Sequence, residues 1–297
     1  MLDIKFIREN KDIVQLGAKK KRIDIDIDAL INLDDQRLKL QKEVEDLRAE
    51  VNRVSNDIVR DQDGAHKMQL IEEMRTVKED IKNIEEKLKE VVDSWQKLMV
   101  QVPNVPDISV PEGVDDKDNQ EIKTWGEIPK FEFTPKNHIE LMENLGMLDL
   151  ARGTKVAGFR GYFLKGDGAL LQFALWQFVQ DFFLQKGGFV PMIVPSLIKK
   201  EVFLGTGYLP QGEEDLYKTQ DGDYLSGTAE VAMMGHYMGE VLEKKDLPIK
   251  MLGFSDAFRR EAGSHGKDTK GILRVHEFYK LEQVVLCEAS HEESVKF

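Results

Sequence analysis

The sequence predicts an α+β protein, in which an N-terminal antiparallel coiled-coil hairpin is followed by an antiparallel sheet flanked by helices. Three features of the 297 residues lead to this prediction. The first part contains two apolar heptad runs, the middle is rich in proline, and the last part mixes helical periods with short β-branched and aromatic runs. We therefore expect an N-terminal helical domain at 1–102, a linker at 103–136 and a second domain at 137–297.

Heptad spacing in the first domain predicts two long helices that pack along each other. Steps that alternate between three and four residues give the period of a left-handed coiled coil. The first run is Leu30, Leu33, Arg37, Leu40, Val44, Leu47, Val51, Val54 and Ile58. The second run is Leu70, Met74, Val77, Ile81, Ile84, Leu88, Val91, Trp95 and Leu98. The turn-forming residues Asp61 to Gly64 between them favour an antiparallel hairpin, and a coil that joins two chains is the alternative.

Composition narrows the class of protein. A hydrophobic content of 41% supports a packed core, and no uninterrupted apolar stretch is long enough for a membrane span. The charged N-terminus is unlike a signal peptide, and the single cysteine, Cys287, excludes an internal disulfide and a multi-cysteine zinc site. The net charge of −12 argues against indiscriminate nucleic-acid binding. We expect a cytoplasmic protein with no membrane, DNA or zinc partner, in which any RNA would meet local basic patches.

In the second domain, hydrophobic periodicity places helices and strands around a predicted hairpin. The expected helices are His138 to Leu148, Gly168 to Lys186 and Glu230 to Lys244. The expected strands are Phe189 to Val194, which should be buried, Leu216 to Lys218, Tyr224 to Leu225, Lys250 to Phe258 and Ile272 to Val285. The sequence has neither a GxGxxG nor a Walker pattern, so neither a Rossmann nor a P-loop nucleotide site is indicated.

The segment FRREAGSHGKDTKGILRVHEFYKLE, residues 258–282, carries most of the chemistry. Alternate residues of a strand share a face, so the hairpin should point one set of side chains into a single cleft. This set is Arg259, Glu261, Arg274, Phe278 and Glu282. Guanidinium groups suit phosphate, an aromatic ring suits a nucleobase and carboxylates suit amines, which together predict a site for ATP and an amino acid. An ordinary charged hairpin on an exposed sheet is the alternative.

This hairpin resembles the signature of class II aminoacyl-tRNA synthetases, and in particular that of the seryl-tRNA synthetase family. LSGTAE at 225–230 resembles the serine-binding loop of that family, and RGYFLKGDGALL at 160–171 resembles the segment that leads into its catalytic domain. GGFVPMIVPSLI at 187–198, which contains Pro195, resembles its dimer-interface motif. The resemblance covers essentially the whole chain and implies a class II synthetase-type sheet in a partial catalytic domain.

The resemblance implies activation of serine with ATP to seryl-adenylate and transfer to tRNA-Ser, with tRNA-Sec as a further possible substrate. Its ATP-binding positions correspond to Arg259, Arg260, Glu261, Arg274, Val275 and Phe278. Its serine-binding positions correspond to Thr228, Ala229, Glu230 and Glu282. Arg259, Arg274 and Glu282 are the catalytic candidates, with Arg259 on the α-phosphate, Phe278 under adenine and Glu282 on the ammonium group. Mg²⁺ is expected with ATP, and the loop from Gly263 to Lys270 should close over the nucleotide.

The same resemblance assigns the helical hairpin to tRNA binding, where it would grip the long variable arm of tRNA-Ser. Basic residues that could contact phosphates gather toward its tip. They are Arg48, Arg53, Arg60, Lys67, Arg75 and Lys78. The family motif around Pro195 implies a homodimer.

The third motif of the family, a glycine-rich strand and helix that carries an arginine, is absent from the sequence, so the fold should be C-terminally incomplete. The expected explanation is a partial sequence of a normal synthetase, and we predict little or no aminoacylation by the 297-residue chain alone. Three alternatives stay open: a non-catalytic tRNA-binding relative, an inactive fragment, and a structural coiled-coil protein that only dimerises.

Overall fold

The computed structural model describes residues 2–60, 62–263 and 270–297. The chain divides into two compact units, Met1–Thr124 and Trp125–Phe297. Two predictions fall partly outside the described residues. One concerns Asp61 in the helical reversal, and the other concerns residues 264–269, which include His265 and most of the loop expected to close over ATP.

The first unit is helical. Its helices are α1, Ile4–Glu9; α2, Lys11–Lys20; α3, Ile27–Arg60; and α4, Gly64–Met99. Helices α3 and α4 form the predicted antiparallel hairpin, because Arg48 on α3 pairs with Glu85 on α4 at 2.6 Å while Arg37 lies over the ring of Trp95. Every member of both heptad runs is buried or half-buried, as the spacing predicts. Asp63 caps α4 by accepting a hydrogen bond from the amide of Ala65.

A buried carboxylate lies at the base of this hairpin. The side chain of Asp34 is almost fully buried and accepts hydrogen bonds from Arg8 of α1 at 3.0 Å and from Arg37 at 2.7 Å. The guanidinium of Arg37 also lies 5.0 Å from the centre of the Trp95 ring. Arg37 is therefore a polar heptad member whose charge is neutralised by Asp34 and whose plane covers an aromatic ring on the facing helix.

Residues 103–136, all of which the structure describes, contain one short 3₁₀ helix, Asp116–Asp118, and are otherwise turns and extended backbone. Prolines explain this backbone, since each lacks an amide hydrogen and disfavours a helix before it.

The second unit combines short helices with three small sheets. Its helices are α5, His138–Asn144; α6, Leu150–Ala157; α7, Asp167–Lys186; α8, Lys200–Gly205; α9, Ala229–His236; and α10, His291–Lys296. Its strands are β1, Leu148–Asp149; β2, Phe163–Leu164; β3, Phe189–Ile193; β4, Leu197–Ile198; β5, Tyr217–Lys218; β6, Tyr224–Leu225; β7, Ile249–Phe258; and β8, Glu277–Leu286. The sheets have the orders β1-β2, β3-β7-β8 and β4-β6-β5.

The sheet β3-β7-β8 carries the predicted hairpin. Strands β7 and β8 are antiparallel, with Gly253 opposite Glu282, Ser255 opposite Lys280 and Ala257 opposite Phe278. Strand β3 pairs with β7 in parallel, which makes the sheet mixed. Alternate residues of a strand share a face, so Phe278, Lys280 and Glu282 of β8 project from one side of the sheet.

Helix α9 packs on that side of the sheet, and Gly253 allows its close approach. A Cβ atom at Gly253 would lie 2.6 Å from the sulfur of Met233 and 3.0 Å from Cβ of Ala229. Ala229 and Met233 are fully buried and belong to one apolar cluster with Met251. This packing brings the beginning of α9 to Glu282, the residue opposite Gly253.

Several predicted element boundaries and one burial prediction differ from the structure. Helix α5 ends at Asn144, shortly before Gly146, whose φ of 68° suits a chain reversal, and α9 ends at His236 rather than Lys244. Strand β8 begins at Glu277 because the residues from Gly271 form turns instead of strand. Strand β3 was expected to be buried, and this was wrong, because Ile193 is 89% exposed.

Candidate functional site

The predicted amino-acid end of the site is a carboxylate surrounded by donors. Oε2 of Glu282 accepts hydrogen bonds from the hydroxyl of Thr228 and, at 3.2 Å, from the amide of Glu230. Oε1 accepts a hydrogen bond from Nζ of Lys280 at 2.8 Å, and the same Nζ donates to Oγ1 of Thr228 at 2.9 Å. Thr228 is buried, whereas the Glu282 side chain keeps 19% of its surface exposed. The carboxylate is therefore oriented and still accessible.

The electrostatics of this cluster keep Glu282 ionised. Burial alone would raise the pKa of Glu282, but the hydrogen bonds from Lys280 and Thr228 and the charge of Lys280 outweigh it, and the pKa lies below its usual value. Burial, together with the charge of Glu230, raises the pKa of Tyr208 to about 12. The Tyr208 hydroxyl donates to Oε2 of Glu230 at 3.1 Å, so it is a neutral donor at physiological pH.

The predicted nucleotide end of the site combines a guanidinium with an aromatic ring. Arg259 follows the last residue of β7, and its guanidinium carbon lies 5.3 Å from the centre of the Phe278 ring. Nε and Nη2 of Arg259 donate to the carbonyl of Gly227 at 3.3 and 3.2 Å. A Cβ at Gly227 would lie 3.0 Å from Cγ of Arg259, so the glycine leaves room for this side chain. Because Gly227 precedes Thr228, the two ends of the site are adjacent.

The turn after β7 is held by an ion pair and by Asp215. Nη1 of Arg274 donates to Oε2 of Glu261 at 2.8 Å, across the ends of the hairpin. Glu261 has a φ of 56°, which is uncommon for a residue other than glycine. The carbonyl and the carboxylate of Asp215 accept the amides of Arg260 and Ala262 at 2.9 and 2.8 Å. Asp215 therefore fixes the backbone on both sides of Glu261.

Two family models match this chain. The model described as seryl-tRNA synthetase N-terminal domain matches residues 1–106, and that described as tRNA synthetase class II core domain (G, H, P, S and T) matches residues 217–296. A serine–tRNA ligase of Deinococcus radiodurans is 41% identical over 298 residues, which cover 100% of this chain and 70% of that protein. The chain belongs to the seryl-tRNA synthetase family. A serine–tRNA ligase of Desulfitobacterium hafniense strain DCB-2 is 42% identical over 297 residues, 99% of this chain and 70% of the relative.

Solved structures of the seryl-tRNA synthetase family share the fold. A seryl-tRNA synthetase from Pyrococcus horikoshii complexed with ATP superposes with a TM-score of 0.80 and 35% identity over 96% of this chain and 69% of that one. A cytoplasmic serine–tRNA ligase from Naegleria fowleri in complex with AMP gives 0.79 and 30%, over 100% of this chain and 69% of that one. The predicted fold class and family are confirmed, and the chain spans about 70% of the length of the curated relatives.

The structure brings most of the synthetase-type residues together in two contacts that share the Gly227–Thr228 segment. Arg259 and Phe278 form one contact, and Glu282, Thr228 and the amide of Glu230 form the other. Other predicted members lie around them. Ala229 and Val275 are buried, Arg274 pairs with Glu261, and Arg260 is exposed.

The remaining predicted site residues lie elsewhere. Arg48, Arg53, Arg60, Lys67, Arg75 and Lys78 are on α3 and α4, on the part of the hairpin toward the turn. Arg48 is paired with Glu85, and Arg75 lies 4.0 Å from Glu72. Pro195 is exposed just after β3.

Three residues of the site were missed at the level of sequence: Lys280, Tyr208 and Asp215. Lys280 could have been found, because it lies between Phe278 and Glu282 in the same alternation on β8. Tyr208 and Asp215 belong to the segment between α8 and β5, and no local pattern shows that this segment folds against the hairpin. Their roles follow from tertiary contacts alone.

Neither a metal cluster nor a transmembrane helix is found in the described part of the chain. Within residues 2–60, 62–263 and 270–297, no group of three or more His, Cys, Asp or Glu side chains could hold a metal ion. Across the same ranges, no helix combines the length and apolar character needed to cross a membrane.

Proposed function

We propose that the site between Arg259 and Glu282 binds ATP and serine and supports the two reactions of a serine–tRNA ligase. In the first reaction, a carboxylate oxygen of serine attacks the α-phosphorus of ATP, the bond to the β-phosphate breaks, and seryl-adenylate and pyrophosphate form. In the second, a terminal ribose hydroxyl of tRNA-Ser attacks the acyl carbon and AMP leaves. The observation that carries this proposal is the ionised, half-buried Glu282, which lies on the same face of β8 as the Phe278 ring that Arg259 contacts, four residues further along the strand.

The geometry supports a division of the substrate between the two ends of the site. Glu282 and Thr228 suit the ammonium group of serine, and Arg259 suits the α-phosphate, whose charge grows as the carboxylate attacks. Only two nitrogens of Arg259 donate to Gly227, so the guanidinium has further N–H groups for phosphate oxygens. Phe278 offers a ring for adenine, and Arg274 keeps Glu261 beside the nucleotide end. Catalysis would come from positioning and charge rather than from a covalent enzyme intermediate.

Mg²⁺ is part of this proposal only as a companion of ATP, where it would neutralise phosphate charge. The described residues do not themselves provide a metal-binding group of three or more carboxylate, histidine or cysteine side chains. The roles assigned to Arg259 and Glu282 do not depend on the ion.

The helical hairpin and the region around strand β3 are the surfaces that we propose for tRNA binding and for homodimer formation. Basic residues on exposed faces of α3 and α4 would contact the backbone of tRNA-Ser, and tRNA-Sec is proposed as a second substrate. The exposed apolar side chains of Val190, Ile193 and Leu197 flank Pro195 and would be covered in a homodimer. We place these reactions in the cytoplasm, where protein synthesis consumes aminoacyl-tRNA.

Binding of a non-hydrolysable seryl-adenylate analogue, measured by calorimetry, tests the proposal without requiring turnover. The chain should bind the analogue more tightly than AMP, and Glu282→Gln should weaken analogue binding by roughly 10- to 100-fold because a charge-assisted hydrogen bond is lost. Glu277→Gln is the matched control, since Glu277 lies on the opposite face of the same strand, and it should bind as the unmodified chain does. Failure of the unmodified chain to bind the analogue would reject the proposal and favour a non-catalytic relative.

A further inference from the structure

Lys280 occupies the centre of the amino-acid end of the site. Its Nζ lies 2.8 Å from Oε1 of Glu282 and 2.9 Å from Oγ1 of Thr228, and its side chain is 31% exposed. We propose that Lys280 is a positioning residue, which orients the Glu282 carboxylate and the Thr228 hydroxyl so that each presents one free lone pair to the substrate's ammonium group. This inference rests on the proposed function, because it concerns how the same site selects an α-amino acid.

Counting donors and acceptors shows what Lys280 leaves available. A carboxylate has about four acceptor positions and a hydroxyl has one donor and two acceptor positions. Oε2 of Glu282 is saturated by Thr228 and the amide of Glu230, whereas Oε1 has used one position on Lys280. Thr228 donates to Glu282 and accepts from Lys280, which leaves it one lone pair. One acceptor position therefore remains on each of the two groups.

The two remaining acceptors suit an ammonium group. Nζ of Lys280 is itself an ammonium nitrogen that reaches both oxygens at once, so a second one can make the same pair of hydrogen bonds from another direction. A neutral group with a single donor would satisfy only one of them, and the other buried acceptor would lose its contact with water. Lys280 also fixes the direction of the Thr228 hydroxyl, because an oxygen that accepts from an ammonium must turn its own hydrogen toward Glu282.

Charge gives Lys280 a second effect on the site. The other ionisable groups around Glu282 are Glu230 and Tyr208, with Arg259 beyond them. Without Lys280, the carboxylates of Glu282 and Glu230 would share a half-buried space with a phenol whose pKa is about 12. Like charges and burial favour uptake of a proton, so Glu282 would lose its affinity for an ammonium group as the pH falls.

Two adenylate analogues separate this role from simple support of the fold. One carries the serine amine, and the other is identical but lacks the amine. Lys280→Met should weaken binding of the amine-bearing analogue by roughly tenfold or more at about pH 7, and further at about pH 5.5, while binding of the amine-free analogue stays unchanged. Lys280→Arg, which keeps the positive charge, should retain affinity that depends little on pH. Lys250→Met, on the neighbouring strand, is the matched control.

Each outcome separates the two hypotheses. If Lys280→Met binds the amine-bearing analogue as the unmodified chain does, or loses both analogues equally, Lys280 is not a positioning residue and the proposed function stands. If the unmodified chain binds neither analogue, the proposed function fails and this inference fails with it. Should Lys280→Met not fold, as judged by circular dichroism, Lys280→Gln replaces it, and affinity for the amine-bearing analogue that does not fall between about pH 7 and 5.5 contradicts the inference.

Discussion

Gly253 and Glu282 lie directly opposite each other on β7 and β8, and the absence of a side chain at Gly253 lets the beginning of α9 reach the Glu282 carboxylate. A Cβ at Gly253 would lie 3.0 Å from Cβ of Ala229, a contact that only a shift of the helix could relieve. The amide of Glu230, which follows Ala229, donates to Glu282 at 3.2 Å. The missing side chain therefore admits two of the three donors around the Glu282 carboxylate, the Thr228 hydroxyl and the Glu230 amide, whereas the third, Lys280, lies on β8 itself.

Gly253→Ala should weaken both the fold and the site. The new methyl group would displace α9 from the sheet, at a cost of about 1–3 kcal/mol in the free energy of unfolding, and affinity for the seryl-adenylate analogue should fall. Urea unfolding and calorimetric titration measure the two effects. Gly205→Ala is the control, because a Cβ there meets no atom within 4 Å. Equal behaviour of the two variants would show that α9 does not depend on Gly253.

The backbone conformation of Glu261 predicts that a glycine at this position gives a more stable protein than an alanine, the reverse of the usual order for these two residues. With a φ of 56°, position 261 favours glycine, so Glu261→Gly should be more stable than Glu261→Ala by about 1 kcal/mol. Both variants lose the ion pair with Arg274, so their difference isolates the backbone term. Thermal unfolding measures it, and an alanine variant at least as stable as the glycine variant would contradict the strained turn.

Tyr208 predicts a loss of stability at alkaline pH. Its pKa is raised to about 12 in the folded chain, so the contribution of its protonated form is complete below the ordinary tyrosine pKa of about 10. That contribution should disappear as the pH rises from about 10 to about 12, because the unfolded chain releases the proton first. Melting temperatures in this range should fall less steeply for Tyr208→Phe than for the unmodified chain. Tyr279→Phe, at a ring that is 44% exposed, should follow the unmodified chain.

Asp34 should be the most sensitive acidic residue of the helical unit. Asp34→Ala leaves Arg8 and Arg37 without their buried partner and should destabilise this unit by about 3 kcal/mol. Asp35→Ala removes an ion pair of Arg8 at a side chain that is 54% exposed, and should cost less than about 1 kcal/mol. Urea unfolding followed by circular dichroism compares them. Similar costs would mean that burial of Asp34 contributes little.

The tip of the helical hairpin should determine the salt dependence of tRNA binding. Arg53→Glu should lower affinity for tRNA-Ser and reduce the slope of log affinity against log salt by about 1. Arg48→Glu should have a smaller effect, because its guanidinium is held by Glu85. Lys89→Glu makes the same change of charge nearer the base of α4 and serves as the control. If all three variants bind tRNA-Ser alike in filter binding, contact at the tip is rejected.

The helical hairpin and the β7–β8 pair could be predicted from the sequence because both depend on local periodicity. Heptad spacing fixed which faces of α3 and α4 are buried, and strand alternation placed Phe278 and Glu282 on one face. The exposure of β3 could not be predicted from the sequence, since an apolar run has the same composition whether its side chains are buried or exposed. The boundaries of β8 and α9 were displaced because turns around Gly271 and Tyr237 interrupt otherwise favourable residues.

The residues of the candidate site could be predicted from the sequence where they lie on the β7–β8 hairpin. Alternation could also have included Lys280, which lies two positions before Glu282 and therefore on the same face of the strand. Asp215 and Tyr208 depend on contacts between segments that are distant in sequence, and such contacts leave no local pattern. The packing of α9 against Gly253 likewise leaves no local pattern in the sequence, since it depends on the space that the missing side chain leaves.

A crystal structure of the chain with the non-hydrolysable seryl-adenylate analogue would test the central claim most directly. We expect the amine within hydrogen-bond distance of both Glu282 and Thr228, the phosphate-like group on Arg259 and the adenine against Phe278. The opposite face of β7 and β8 offers a cavity of about 850 Å³ lined by aromatic rings, including those of Trp176 and Tyr279. An analogue bound in that cavity, or with its amine away from Glu282, would contradict the account.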